Sequence, residues 1–212
     1  MSSAPRKMPE LPSPSRRRLP REERLRQLLD VSWRLVRDEG TDALTLGRLA
    51  EQAGVTKPVV YDHFGTRNGL LAALYEDFDV RQTAVIDAAL ERSVPTLEGK
   101  AAVIASSYVN CVLTQGREIS GVLAALAGAP ELERIKREYR LAFIRKCRGV
   151  LAPFAGRQDI APARFWAMLG AADALSEAAA TGEITPQQAQ EELFEIIVAM
   201  VNRNAGQTPR LP

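Results

Sequence analysis

Residues 45–64 read TLGRLAEQAGVTKPVVYDHF and decide the interpretation of the whole chain. Apolar residues recur at helical spacing on both sides of Gly54-Val55, which predicts two short helices joined by a tight turn. Such a turn needs a residue that accepts a positive φ, and glycine does so at the lowest cost. Thr45 and Thr56 stand where the N-caps of the two helices are expected. The stretch therefore predicts a helix-turn-helix unit.

The second helix of this unit has an inward and an outward side. Its apolar residues Val60 and Phe64 are expected to face a core, which leaves an outward face of Lys57, Pro58, Val59, Tyr61, Asp62 and His63. In helix-turn-helix proteins the second helix lies in the major groove with its N-terminal residues at the base edges. A generic helical hairpin shares the glycine and the apolar spacing, and it remains the alternative on these grounds alone.

The same stretch resembles the tetracycline-repressor (TetR) family over about residues 25–75. The family pattern is T-x-x-x-[IL]-A-x-x-A-G-V-[ST]-x-x-x-[LIV]-Y-x-H-F-x-[ST]-[KR]-x-x-L-L. Its positions are filled here by Thr45, Leu49, Ala50, Ala53, Gly54, Val55, Thr56, Val60, Tyr61, His63, Phe64, Thr66, Arg67, Leu70 and Leu71. Beyond residue 75, only the number and order of predicted helices agree with the family.

The resemblance implies which residues contact DNA. Thr45 and Arg48 would face the DNA backbone from the first helix of the unit. The recognition helix would open with Thr56, Lys57, Pro58 and Val59, with Tyr61 and His63 resembling a phosphate-contacting pair. Arg67 would make a further backbone contact from the start of the fourth helix.

One position departs from the family pattern. Many members carry Glu two residues after the basic position, where it completes a capping box with the preceding Ser or Thr. Here that position is Gly69. We therefore expect the fourth helix to start less firmly, with Thr66 still able to cap it.

Helical patterns continue to the end of the chain, so the predicted fold class is all-α with about nine helices. A basic, proline-rich arm is expected at 1–20, a three-helix helix-turn-helix domain at 21–66, and a helical ligand-binding and dimerisation domain at 67–212. Residues 67–79 and 80–93 are predicted as separate helices. Before the last helix, Thr185, Pro186 and Gln188 predict an N-cap, a proline in the first turn and a partial capping box.

Composition limits the alternatives. The formal net charge is only +2, but residues 1–26 hold eight basic and three acidic side chains, including Arg16-Arg17-Arg18. This end is typical of a DNA-binding arm or of a solubilising tail. One histidine and the isolated Cys111 and Cys147 offer no zinc, redox or other metal site, and we expect no cofactor and no enzymatic activity. Without a run of about 18 apolar residues, we expect no membrane contact and a cytoplasmic location.

The last two predicted helices suggest a homodimer. One is rich in small residues and the other carries more apolar side chains than one exposed side explains. In the resembling family these helices form a four-helix interface with their symmetry mates. The expected interface residues are Ala171, Ala174, Ala178, Leu193, Phe194, Ile197 and Val201.

The middle helices are expected to enclose an effector pocket. Few charged residues lie on their apolar faces, which favours a small apolar or aromatic molecule. The candidate lining residues are Tyr75, Phe78, Tyr108, Cys111, Phe143, Cys147 and Trp166.

Taken together, the sequence predicts a DNA-binding transcriptional regulator, with repression relieved by an effector as the family default. It would bind a pseudo-palindromic operator as a homodimer. A transcriptional activator and an effector-independent architectural DNA-binding protein are the alternatives.

Overall fold

The computed structural model describes residues 19–157 and 159–205, and those ranges contain helices and turns but no strand. Nine α-helices occur there: α1 (Arg21–Glu39), α2 (Leu46–Ala53), α3 (Lys57–Phe64), α4 (Arg67–Arg92), α5 (Leu97–Glu118), α6 (Ser120–Ala125), α7 (Pro130–Leu151), α8 (Pro162–Thr181) and α9 (Pro186–Ala205). The predicted all-α class is confirmed. Residues 1–18, with the arginines of the predicted arm, lie outside the described residues. No described helix is long and apolar enough to cross a membrane.

The turn between α2 and α3 forms as its sequence predicts. The hydroxyl of Thr45 accepts a hydrogen bond from the N–H of Arg48 at 3.1 Å and caps α2. Gly54 ends α2 with φ 63° and ψ 36°, the left-handed conformation that favours glycine. At α3 the prediction is wrong in one detail. Thr56 occupies the N-cap position, but its hydroxyl accepts no cap bond. Pro58 removes one of the N–H groups that a cap would use, and the N–H of Val59 bonds to the carbonyl of Thr56 at 3.0 Å instead.

The start of α4 explains why residue 69 is glycine. The hydroxyl of Thr66 accepts from the N–H of Gly69 at 3.0 Å, so α4 is capped as expected. A Cβ at Gly69 would lie 2.1 Å from the carbonyl oxygen of Phe64, too close for any side chain. The glycine therefore belongs to a tight entry into α4, and the glutamate found in many relatives does not fit this backbone.

The region 67–92 is a single helix of 26 residues, so the predicted division between residues 79 and 80 is wrong. Its buried side chains cluster near both ends, with Leu70, Leu74 and Phe78 in one group and Ile86 and Leu90 in the other. The spacing of the apolar residues changes between the two groups. For this reason the sequence predicts two helices where the backbone forms one.

Two hydrophobic cores account for this shift. The N-terminal core joins α1, α2, α3 and the first half of α4 to Ile119, Val122 and Leu126 near α6 and to the beginning of α7. The C-terminal core joins the second half of α4 to α5, the end of α7, α8 and α9. The N-terminal core thus extends beyond the predicted boundary at residue 66. The boundary itself stays a prediction.

The apolar face of α9 lies against its own protomer. Leu193 is 1% exposed, and Ile197 and Val201 are 0% exposed. All three belong to the C-terminal core, where α9 packs on α5 and α8. They cannot reach a partner without unfolding, so the prediction that they form a dimer interface is wrong. These apolar side chains of α9 are therefore buried within the protomer.

Candidate nucleic-acid interface and ligand cavity

The helix α3 presents the outward face that its sequence predicts. Val60 is 0% exposed and Phe64 is 8% exposed, and both belong to the N-terminal core. On the other side the structure brings the predicted contact residues together. Lys57, Pro58, Tyr61 and Asp62 are exposed, whereas Val59 and His63 are half-buried. The exposed residues Thr45 and Thr56 stand at the N-cap positions of α2 and α3.

Ion pairs fix the charged side chains around α3. The guanidinium of Arg48 lies 2.9 Å from the carboxylate of Glu39 and 3.7 Å from that of Glu51, so it ties α2 to the end of α1. Hydrogen bonding to Glu39 raises the pKa of Arg48. On the other side, Arg21 pairs with Asp62 of α3 at 2.6 Å. Arg48 is thus already paired at the position from which the resemblance implies a DNA-backbone contact.

The single histidine lies at the end of this face. Burial, and secondly the positive charge of Arg21, lower the pKa of His63 below its usual value of 6.5. His63 is therefore neutral at pH 7. In this neutral state it can donate a hydrogen bond to a phosphate oxygen without neutralising the phosphate charge.

The half-exposed side chain of Arg67 reaches toward the turn before α2. Its Nε donates to the carbonyl of Leu44 at 3.0 Å, and its Nη2 donates to the carbonyl of Thr41 at 2.8 Å. These bonds connect the start of α4 to the turn that precedes α2. They use two of the five guanidinium donors, and the DNA-backbone contact that the resemblance implies for Arg67 stays a prediction. Its role here is to position the helix-turn-helix unit.

Asp77 makes a second link between α4 and this unit, and sequence reasoning missed it. It is 8% exposed and accepts from Trp33 Nε1 at 2.7 Å and Arg26 Nη1 at 2.8 Å, both on α1. Arg81 lies 3.3 Å away and over the ring of Trp33. The available signal was an acidic residue inside the apolar stripe that ends at Phe78, since a buried carboxylate requires partners.

A cavity of about 250 Å³ lies between α4, α5, α7 and α8, where the two cores separate. Four of the predicted pocket residues line it, namely Tyr75, Tyr108, Cys111 and Phe143. The other three predicted positions are corrected. Phe78 and Cys147 are each 1% exposed inside the cores, and Trp166 is 49% exposed on the outside of α8.

The cavity wall is more polar than the sequence predicts. It includes Asp79, Gln82, Thr83, Gln115, Lys136, Tyr139, Arg140, Lys146 and Asp173. The hydroxyl of Tyr108 donates to Asp173 at 2.5 Å, and the amide of Gln115 donates to the hydroxyl of Tyr75 at 3.1 Å. Burial raises the pKa of Cys111 to about 11, so this thiol is protonated at neutral pH. The expectation that few charged residues face the pocket is wrong.

These features define a helix-turn-helix protein in which a second, helical region encloses a ligand-sized cavity. Residues 28–74 match the family described as bacterial regulatory proteins, tetR family. The matched residues include most of the pattern on which the resemblance in the sequence rests.

A known bacterial regulator is similar to a segment of comparable length. A segment of 59 residues is 41% identical to the transcriptional activator FasR of Mycolicibacterium smegmatis, and it covers 28% of this chain and 27% of FasR. The chain therefore spans about a quarter of the length of this curated relative.

Solved structures extend the likeness in fold to most of the chain. A TetR-family transcriptional regulator from Streptomyces coelicolor superposes with a TM-score of 0.59 at 21% identity, over 86% of this chain and 97% of that one. The multidrug binding protein EbrR, solved with imidazole, superposes with a TM-score of 0.60 at 19% identity, over 89% and 93%. At these identities the comparison establishes the fold alone.

Proposed function

We propose that the chain is a sequence-specific DNA-binding transcriptional regulator whose DNA binding responds to a small molecule. The observation that carries the proposal is α3, which the N-terminal core holds by Val60 and Phe64 while Lys57, Val59 and Tyr61 face outward. An exposed second helix of this kind enters the major groove, and its first residues reach the base edges. Acting on DNA, the protein would work in the cytoplasm.

Within this interface the residues divide by role. Lys57, Pro58 and Val59 open α3 and would read bases, whereas Thr45, Thr56, Tyr61 and His63 would contact phosphates. Arg48 is paired with two carboxylates. It would have to exchange one of them for a phosphate.

A two-fold homodimer would present two copies of α3 to the DNA. Because Leu193, Ile197 and Val201 are buried in the protomer, the surface for a partner lies on the other sides of α8 and α9. The α8 residues Trp166, Gly170 and Ala174 are exposed there, and Ala171, Ala178 and Phe194 are half-buried. The small residues permit close approach of a second helix, and a two-fold dimer matches a pseudo-palindromic operator.

The effector would act from the cavity through α4. Tyr75 and Asp79 face the cavity, while Arg67 and Asp77 on the same helix hold the helix-turn-helix unit by hydrogen bonds. A ligand that fits only one position of α4 would shift the population toward that position. The separation of the two recognition helices would change with it.

Release of a repressor by its effector is the form we favour, as in the family default. The alternative of activation is supported by FasR, which is named an activator and shares 41% identity with this chain over 59 residues. An architectural DNA-binding protein is the other alternative, and the formal net charge of +2 argues against it because non-specific binding depends on phosphate neutralisation.

Sequencing of DNA fragments selected by the pure protein tests the proposal. We expect enrichment of a pseudo-palindrome whose half-sites lie one helical turn, or a multiple of it, apart. A salt titration on the enriched duplex and on a random duplex then measures specificity. Equal affinity for both duplexes at every salt concentration would overturn the proposal in favour of an architectural role.

A further inference from the structure

The carboxylate of Asp79 stands out among the charged groups of the cavity. It lies on α4 and is half-buried, and the hydroxyl of Thr83 acts to favour its charged form. Among the described residues it forms no ion pair, whereas the other acidic group of the wall, Asp173, lies 3.3 Å from Arg140. Lys146 acts on this carboxylate only from beyond 4 Å, so part of its desolvation cost is left for a cationic ligand to remove.

The basic groups of the wall are engaged elsewhere. Lys146 is ion-paired with Asp87, which does not line the cavity, and Lys136 lies 3.9 Å from Glu133. Arg140 is the partner of Asp173. With these pairs formed, Asp79 is the carboxylate of the cavity wall that has no ion-pair partner within 4 Å among the described residues.

Two pairs of aromatic rings complete the wall. The rings of Tyr75 and Tyr139 have their centroids 5.8 Å apart, and those of Tyr108 and Phe143 lie 4.9 Å apart. Each pair joins α7 to a neighbouring helix, α4 in the first case and α5 in the second. Aromatic faces attract organic cations through the ring quadrupole, most strongly where water is displaced.

We propose that the cavity binds a small organic cation, with its ammonium group against Asp79 and its apolar or aromatic body between the two pairs of rings. A volume of about 250 Å³ limits the ligand to a body of one or two rings. The proposal deepens the proposed function. It rests on that function only where it identifies this cation as the effector.

The charge on Asp79 also makes binding depend on pH. Burial raises the pKa of Asp79 to about 6, with Thr83 and Lys146 acting in the opposite direction. The titratable groups that act on it from the packed helices are Tyr75 on α4, Cys111 on α5, and Tyr139 and Lys146 on α7. The pKa values of both tyrosines and of the thiol are raised, so these groups stay uncharged between pH 5 and about 8. Protonation of Asp79 below about 6 then removes the charge that binds the cation.

Three probes of nearly the same shape test the proposal by calorimetry on the full chain without DNA. They are benzyltrimethylammonium, its neutral carbon isostere neopentylbenzene and the anion phenylmethanesulfonate. The variant Asp79→Asn removes the charge at constant size. Glu76→Gln, an exposed position outside the cavity wall on the same helix, is the matched control.

We expect the cation to bind tightest, with one ligand per protomer, and Asp79→Asn to weaken it about tenfold or more, as loss of a partly desolvated ion pair does. Glu76→Gln should leave its affinity unchanged, and Asp79→Asn should not weaken the neutral probe. The affinity of the cation should fall from pH 8 to 5 for the wild type and stay flat for Asp79→Asn. Tighter binding of the sulfonate, equal binding of the cation to wild type and Asp79→Asn, or no binding of the cation would each overturn the proposal.

A negative result in this experiment can be distinguished from failure of the proposed function. Calorimetry without DNA reports on the cavity alone. If the cation binds through Asp79 but leaves the affinity for the selected operator unchanged, the assignment of ligand class stands and the regulatory role of the cavity is wrong.

Discussion

The two halves of α4 serve different parts of the molecule. Its first half buries Leu70, Leu74 and Phe78 in the N-terminal core, whereas its second half buries Ile86 and Leu90 in the C-terminal core. Asp79, Gln82 and Thr83 lie between these groups and line the cavity. A single helix thus connects the helix-turn-helix unit to the cavity, and a ligand in the cavity would meet it where it passes from one core to the other.

The halves also differ in how they are held. The first half is tied to the helix-turn-helix unit by polar bonds, from Arg67 to the carbonyls of Thr41 and Leu44 and from Asp77 to Trp33. At the other end, Lys100 donates to the carbonyl of Leu90 at 2.7 Å and Lys146 of α7 pairs with Asp87, beside the apolar packing of Ile86 and Leu90 in the C-terminal core. Directional bonds at the first half fix the orientation of α1–α3 relative to α4. A displacement of α4 would therefore carry the recognition helix with it.

Breaking the C-terminal core should have the largest effect. Ile197→Asp places a carboxylate where the native side chain is 0% exposed. We expect a loss of several kcal/mol, on the order of the cost of burying an unpaired charge, and failure to fold stably. Ala174→Asp, on the exposed face of α8, should keep the helical circular-dichroism signal but yield monomers in analytical ultracentrifugation. A folded Ile197→Asp monomer would instead place this residue in the dimer interface.

The links between α4 and the helix-turn-helix unit come next. Asp77→Asn removes the charge that holds Arg26 and Arg81, and urea unfolding should show a loss of about 1.5–3 kcal/mol, as for hydrogen bonds to charged groups. Asp62→Asn is the control, because its pair with Arg21 is exposed and such pairs contribute about 0–1 kcal/mol. Equal losses for the two variants would mean that Asp77 does not anchor α4.

Arg67→Ala separates positioning from DNA contact. Loss of its two bonds to backbone carbonyls should lower the free energy of unfolding by about 1 kcal/mol, and weaken binding to all duplexes through misplacement of α3. Arg67→Lys should not restore stability, because its single ammonium group lacks the planar fork that reaches both carbonyls. Unchanged stability with a salt slope smaller by about one would favour the phosphate contact that the resemblance implies.

The smallest effects are expected at the phosphate-facing residues. His63→Ala should weaken binding to specific and random duplexes by similar factors, and Tyr61→Phe should weaken it less because only a hydroxyl is lost. Since His63 is neutral at pH 7, the salt slope of binding should stay constant in both variants. The check is a fluorescence-anisotropy titration at several salt concentrations, and an unchanged affinity of His63→Ala would remove the phosphate role.

The sequence predicts the helix-turn-helix unit more closely than the rest for a physical reason. Around α3 and at the start of α9, caps and turns depend on neighbours along the chain. The capping box of Thr185 and Gln188, for example, forms with bonds of 2.8 and 3.1 Å. By contrast, the sequence of an apolar helix such as α9 does not show whether the apolar face packs against the core of the same protomer or against a partner. Asp79 and Asp173 lie on helices that are far apart in the chain. The spacing of apolar residues does not show that such helices pack around one cavity.

The most direct test of the account concerns base reading by α3. DNA fragments selected by wild type and by Val59→Ala should yield enriched sites with the same half-site spacing but a different base preference within each half-site, and likewise for Lys57→Ala. The half-buried Val59 and the exposed Lys57 lie outside the N-terminal core, so both variants should fold as the wild type does. The same enriched sequence from all three proteins, bound only more weakly by the variants, would contradict the claim that α3 reads the operator.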